Sequence, residues 1–310
     1  MKKLIYILLI ALLGGCSMIQ NTIGPFEPTF AIPSSDYLGA GITFTKIRPD
    51  FFMREKELFS INSESELALL VAKKMQDGVN KVSYRSTSVL SLQKTFMYLE
   101  SIVYVPFSLS MGYTEYSRFG SSVDKVYFAE IKRDPTNDVQ LAKDIDKFLS
   151  QLVLEGKDAA YQLESIHDRI IKVTQYDTSI IKLNLEKYRG HASFEAYGVF
   201  TNKIAVCSGY SRALMALAKA RGIPALYIAS LAMEHAWNLV YEGNSWRYID
   251  ATWDDPVPDV PNRVIHTYFL LDSKSFVRDG KHTFDLSSDD TLTEKEYLTF
   301  ASYVFPTTIK

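Results

Sequence analysis

Three residues in the second half of the chain have the types and order that thiol acyl transfer needs: Cys207, His235 and Asp250. They sit in the motifs Val206-Cys207-Ser208-Gly209-Tyr210, His235-Ala236-Trp237-Asn238 and Tyr248-Ile249-Asp250-Ala251-Thr252-Trp253. A sulfur nucleophile, an imidazole that moves protons and a carboxylate that orients the imidazole are the working parts of that chemistry. The bland readings are a buried cysteine acting as a small hydrophobe and a histidine that merely packs. Gly209 weakens the first by permitting close backbone approach. A histidine paired with an aspartate beside one free cysteine reverses the second.

The elements that must position these residues are legible in local pattern. Residues 208–220 carry Ala213, Leu214, Leu217 and Ala220 on one helical face, and Gly222-Ile223-Pro224 stops the helix. Cys207 is thus expected at a helix N-terminus, where the dipole favours a thiolate and free amides can face an oxyanion. Residues 225–229, 235–241 and 245–252 read as strands, the last two joined at Glu242-Gly243-Asn244. With Gly243-Asn244 as a two-residue loop, Tyr241 faces Trp246, Leu239 faces Tyr248 and Trp237 faces Asp250. His235 then lies one diagonal step from Asp250 on the same face. A four-residue loop keeps this pairing, whereas a three-residue loop places the two on opposite faces.

Together with Tyr197-Gly198, Gly222-Ile223-Pro224 and Ile249-Asp250-Ala251-Thr252-Trp253-Asp254-Asp255-Pro256, these motifs resemble the transglutaminase-like superfamily. His167-Asp168 and Tyr176-Asp177 resemble its lead-in helix and the turn after it. The likeness is closer to the bacterial, protease-like branch and covers about residues 162–256. It implies an α+β, papain-like core with the cysteine-bearing helix packed on an antiparallel sheet. It implies Cys207 as nucleophile, His235 as general base and acid, and Asp250 as the residue orienting His235. Tyr197 is the upstream side chain it suggests for the oxyanion site. Residues 230–234 are short and lack the glycine often found before the family's histidine motif, a departure that bears on the shape of the cleft.

The reaction expected is hydrolysis of peptide or glutamine-type amides through a thioester, with no metal or organic cofactor required. Cross-linking by an amine needs water excluded, and the short loop before His235 offers little material for a lid. Protein cross-linking and a non-catalytic surface binding module that keeps the fold are the alternatives.

The 310 residues are 47 % hydrophobic and 23 % charged with a formal net charge of −2, which suits a globular protein and gives no electrostatic case for nucleic acid. Cys16 and Cys207 are the only cysteines, so neither a disulfide framework nor a cysteine zinc site is expected. Lys2 and Lys3, an apolar run over residues 4–13 and Leu13-Gly14-Gly15-Cys16 read as a signal peptide, residues 1–16, whose end resembles the bacterial lipobox. Cys16 is the expected lipidation site and residues 17–35 a tether. The mature protein is then held by lipid on the cell membrane or outer membrane, extracytoplasmic, acting on a protein or peptide of the envelope.

Residues 36–137 are expected to form a small α+β domain and 138–310 the transglutaminase-like one, with Asp134-Pro135-Thr136-Asn137 between them. In the first, a capping box of Ser63 and Glu66 opens a helix that Gly78 stops, and 90–102 form a second helix. Residues 113–119 pair with 125–131 across Gly120-Ser121-Ser122. In the second, a helix over 139–153 is closed by Gly156, and Asp158 caps another with Leu163, Ile166, Ile170 and Val173 buried. His167-Asp168 beside that stripe receives no metal role, for want of further ligands nearby in sequence. Asp254, Asp255 and Asp259 read as a proline-stiffened polar loop rather than a calcium site. Residues 266–271 read as a core strand, 294–301 as a helix, and His191 and His282 as loop residues without a role.

Overall fold

The computed structural model describes residues 44–49, 53–118, 121–182, 191–255, 257, 258, 260, 262–278, 280–284 and 291–305. The lipobox with Cys16, the tether, Asp259 and the start of the first expected domain lie outside the described residues.

Five strands open the fold: β1 (Thr45–Ile47), β2 (Leu58–Ser60), β3 (Lys81–Arg85), β4 (Ser108–Arg118) and β5 (Ser121–Lys132), in the sheet order β1-β2-β3-β5-β4. The β2–β3 pair is parallel and the others antiparallel. Ser121 and Ser122, expected in a turn, belong to β5, while Gly120 lies outside the described residues. Helices α1 (Glu64–Gln76) and α2 (Leu92–Ile102) pack together beside this sheet. Ser63 caps α1 by accepting from Glu66 N at 3.2 Å. The Glu66 carboxylate returns to Asn62 N at 2.8 Å rather than to the cap's own amide, so the box closes one residue early.

Asp134 accepts from Thr136 N at 3.0 Å and caps α3 (Pro135–Leu149), with Pro135 in the first turn, where a missing amide loses no partner. The loop signal at Asp134-Pro135 is therefore a helix start. The helix also ends before the expected Val153: Ser150 Oγ turns back onto Lys147 O at 2.9 Å, and Val153 is 75 % exposed. Next, α4 (Ala159–Val173) buries Leu163, Ile166 and Ile170 as its spacing requires.

The layer that carries the chemistry follows. Strand β6 (Gln175–Tyr176) pairs in parallel with β7 (Ile204–Ala205), which leads into α5 (Cys207–Ala220). Strands β8 (Ala225–Ser230), β9 (His235–Glu242) and β10 (Ser245–Ile249) form an antiparallel sheet with β9 in the centre. Helix α5 packs against β8 and β9 and also touches α3 and α4, with Ala213, Leu214 and Leu217 fully buried. This is the expected α+β arrangement of a cysteine helix on an antiparallel sheet. Residues 266–271 do not form the expected strand. Only Leu271 bridges Tyr248, because Leu270 sits at φ 51°, outside the extended region. The short α6 (Ser273–Phe276) and α7 (Glu294–Val304) complete the chain, α7 opening on a capping box of Thr293 and Glu296.

One buried cluster runs through both sheets, from Phe59 to Phe305. Helix α2 contacts β8, Lys219 Nζ donates to Ile102 O at 2.6 Å, and Tyr98 packs on Phe300 of α7 with ring centroids 4.7 Å apart. Each such fully buried aromatic contributes about 2 kcal/mol, so α7 is held by burial more than by its Lys94–Glu296 ion pair. Among the described residues no helix is long and apolar enough to cross a membrane.

Candidate active site

The hairpin between β9 and β10 sets the first contact. Gly243 and Asn244 have φ of 57° and 64°, the paired positive values of a two-residue type I′ loop. Tyr241 pairs with Trp246, Leu239 with Tyr248 and Asn238 with Ile249. One step further along this register Asp250 comes opposite Trp237, and His235 takes the diagonal. His235 Nε2 lies 2.6 Å from Asp250 Oδ2.

Cys207 is the first residue of α5 and is partly exposed. No side chain caps this helix, so the amides of its first turn remain available to an anion. The Cys207 thiol lies near enough to the His235 imidazole to help push its pKa up, after Asp250. With Nε2 taken by Asp250, Nδ1 is the nitrogen left for sulfur. The structure thus brings Cys207, His235 and Asp250 together.

Burial alone would lower the His235 pKa, but the Asp250 carboxylate, joined by Cys207, outweighs it and pushes it up to about 10. Burial would likewise raise Asp250, yet His235 and then His282 hold it down to about 2. At neutral pH the pair is imidazolium and carboxylate. An imidazolium is the form that stabilises a neighbouring thiolate and can protonate a leaving amine.

His282 has no counterpart in the sequence expectations, which leave it as a loop residue. It is fully buried, with Nε2 2.8 Å from the same Asp250 Oδ2. Phe276, Trp253 and Tyr268 surround its ring, with centroids 4.1, 4.2 and 4.6 Å away. The other oxygen, Oδ1, accepts from Thr252 N at 3.0 Å and Trp253 N at 3.1 Å. No local pattern marks His282, whose partner lies 32 residues upstream.

Tyr197 precedes the π-helical turn Gly198–Asn202, and its hydroxyl is pushed up by burial and then by Glu195. Tyr176 has the closer electrical tie to the thiol: burial, then Cys207 and Asp250, push its hydroxyl up to about 12. The β6–β7 pairing places Tyr176 opposite Ala205, two residues before Cys207.

The start of α5 is locked to the loop before it. A Cβ on Gly209 would meet Ser193 O at 2.5 Å and Glu195 O at 3.1 Å, so the close approach this glycine permits is made by the chain's own backbone. Ser208 Oγ donates to Phe194 O at 2.9 Å, and Asp177 accepts from Ser193 Oγ at 2.5 Å. His191 Nδ1 accepts from Ser193 N at 3.3 Å, which gives it a role in the turn. Behind them, buried Arg212 pairs with Glu100 of α2, lies 3.8 Å from Glu195 and stacks over Tyr227 at 4.8 Å. Asp254 and Asp255 differ from a solvated polar loop: both are buried, Asp254 accepting from Tyr268 N at 3.0 and 3.2 Å and Asp255 from the Tyr210 hydroxyl.

A model of the transglutaminase-like superfamily matches residues 146–251, a span that includes Cys207, His235 and Asp250. That stretch, about a third of the chain, is therefore similar to the superfamily. Two solved structures are similar. One is a TGase at 14 % identity and a TM-score of 0.31, covering 57 % of this chain and 52 % of the other. The second, from Cytophaga hutchinsonii, is described as a candidate cysteine protease, at 18 % identity and a TM-score of 0.24, covering 53 % of this chain and 71 % of the other. The chain thus spans about half the length of the first. No curated protein matches the sequence.

Proposed function

We propose that this protein is a thiol acyl-transfer enzyme that hydrolyses peptide or glutamine-type amides, with Cys207, His235 and Asp250 as its catalytic residues. The observation that carries the reading is the 2.6 Å contact of His235 with Asp250 beside a cysteine at an uncapped helix start. The Cys207 thiolate attacks the amide carbon, a C–S bond forms, and the developing oxyanion faces the first amides of α5. His235 gives its proton to the nitrogen as the C–N bond breaks and the amine leaves. Neutral His235 then takes a proton from water, whose oxygen adds to the thioester carbon, and the C–S bond breaks. The products are an acid and an amine, and the thiolate–imidazolium pair is restored.

Hydrolysis is favoured over transfer to an amine. Ser230 pairs with His235, so the loop between them is only residues 231–234 and supplies no lid. In this proposal Cys16 carries the lipid that holds the protein at the extracytoplasmic face of a membrane, where envelope peptides are within reach. The support is the basic start, the apolar run and Leu13-Gly14-Gly15-Cys16. Glutamine peptides offered with and without a labelled primary amine test the reaction. Acid product in both, without label, is expected. Label incorporation that outpaces acid release would make it a transferase, and no product with an unreactive Cys207 would make it a binding module. The mass of the mature N-terminus checks the lipid.

A further inference from the structure

A second convergent cluster lies where α4 meets the chain beyond Asp250. His167 and Asp168 come from α4, and His266 arrives from 98 residues after Asp168. His167 Nδ1 lies 3.2 Å and His266 Nε2 2.8 Å from the same oxygen, Asp168 Oδ1. The ligand atoms of these three residues all lie within 4.8 Å of one another. Glu164, one turn earlier on α4, brings Oε1 to 3.9 Å from His266 Nε2. The His167 side chain is fully buried, while those of His266 and Glu164 are 37 % and 54 % exposed. The cluster has a fixed floor and a solvent-facing mouth.

We propose that His167, Asp168 and His266, completed by Glu164, bind a divalent transition-metal ion of the zinc type. Two imidazoles and carboxylate oxygens suit such an ion better than calcium, which takes oxygen ligands. Zinc bonds to nitrogen and oxygen at tetrahedral angles set neighbouring ligand atoms ~3.3 Å apart. The observed 2.8 and 3.2 Å approach that spacing, so small side-chain shifts open the site. A carboxylate stands where zinc-bound histidines take their outer support. The far nitrogen of His167, Nε2, lies 3.2 Å from buried Asp254 Oδ2, without the alignment of a hydrogen bond. Tyr268 N holds Asp254 in turn. A carboxylate behind the ring fixes the tautomer and turns the other nitrogen to the metal. Lys172 Nζ sits 3.4 Å from the other Asp168 oxygen, Oδ2, which leaves Oδ1 for the ion. Asp254 follows Asp250 by four residues, so a bound ion braces the chain beyond Asp250 against α4.

The test uses the full chain, stripped with a chelator and dialysed against zinc chloride. Zinc per chain is measured by atomic emission and affinity by calorimetry against a competing chelator. One ion per chain is expected in the wild type and in Cys207→Ser. His266→Ala, a change at an exposed position, is expected to weaken binding at least ~10-fold, the least that even an outer partner of a zinc histidine contributes. Cobalt(II) taken up by the wild type should show visible bands of a four-coordinate site, and His266→Ala should lose them. Unchanged affinity in His266→Ala would overturn the proposal. Loss of the ion in Cys207→Ser would place it on the Cys207–His235 side instead, and no zinc uptake at micromolar concentration would equally refute the site.

Discussion

Asp250 has no spare capacity: Oδ2 accepts from His235 and His282, and Oδ1 from the amides of Thr252 and Trp253. A carboxylate held at both oxygens does not rotate, so the imidazole is kept in one orientation, as the proposed reaction requires. Asp250→Asn should lower kcat by about 10³–10⁴-fold, because an amide supports the imidazolium poorly. Turnover and melting are compared in one preparation, and a fully active variant would remove Asp250 from its role. The stabilising effect of the pair has its own pH window. His235, raised from 6.5 to about 10, contributes fully below pH 6.5 and loses that contribution as pH rises through about 10. Asp250, lowered from 3.8 to about 2, contributes above pH 3.8 and loses it as pH falls through about 2. The melting difference between wild type and Asp250→Asn should therefore be widest between pH 3.8 and 6.5 and shrink on both sides. Cys207, His235 and Asp250 were legible because each stands in a local pattern: a helix start, a strand and its hairpin partner. His282 and Tyr176 reach the site through distant chain segments, which no local period encodes.

At the scale of elements, α5 depends on what lies behind it. Arg212 serves two buried acids, Glu100 from α2 and Glu195 from the loop before α5. Burial pushes both carboxyls up, with Arg212 opposing it. Arg212→Met should cost about 3–5 kcal/mol, the usual result of leaving buried partners uncompensated. Urea unfolding reads it, and a loss under ~1 kcal/mol would show that the pair is only peripheral. The long elements were readable: β4 and β5 alternate, and α4 and α5 carry clear apolar stripes. Strands β1, β2 and β3 are only three to five residues long, too short for a period to show. Asp134-Pro135 reads equally as a linker or a helix start, because proline suits both. Gly209 was legible as a point of close approach, but not the loop that approaches it.

Across the whole molecule, α7 packs between α2 and the three-stranded sheet. Phe300 packs on Tyr98 of α2, Tyr297 Oη lies 3.4 Å from Ala229 N in β8, and Lys94 pairs with Glu296 at 3.0 Å. A chain truncated before Thr293 should lose cooperative melting and bind a hydrophobic dye, since the apolar face of α2 would lie open. A sharp transition within a few degrees of the full chain would show that α7 is dispensable. A core shared by segments one to two hundred residues apart is invisible to a local reading, because no local period records which distant segments meet.

The closing position of α7 also sets a clock. Lys94 and Glu296 are 202 residues apart in sequence. At about 5–20 residues per second, a ribosome takes roughly 10–40 s to make that stretch. Throughout that interval the face of α2 that meets α7 stays uncovered, and the long-range contacts form slowly even once the helix is available. The nascent chain therefore keeps part of its core open while its second half is still being made. The same topology leaves it exposed to proteases and to its own aggregation until α7 arrives, so the length of the connection itself sets the time at risk.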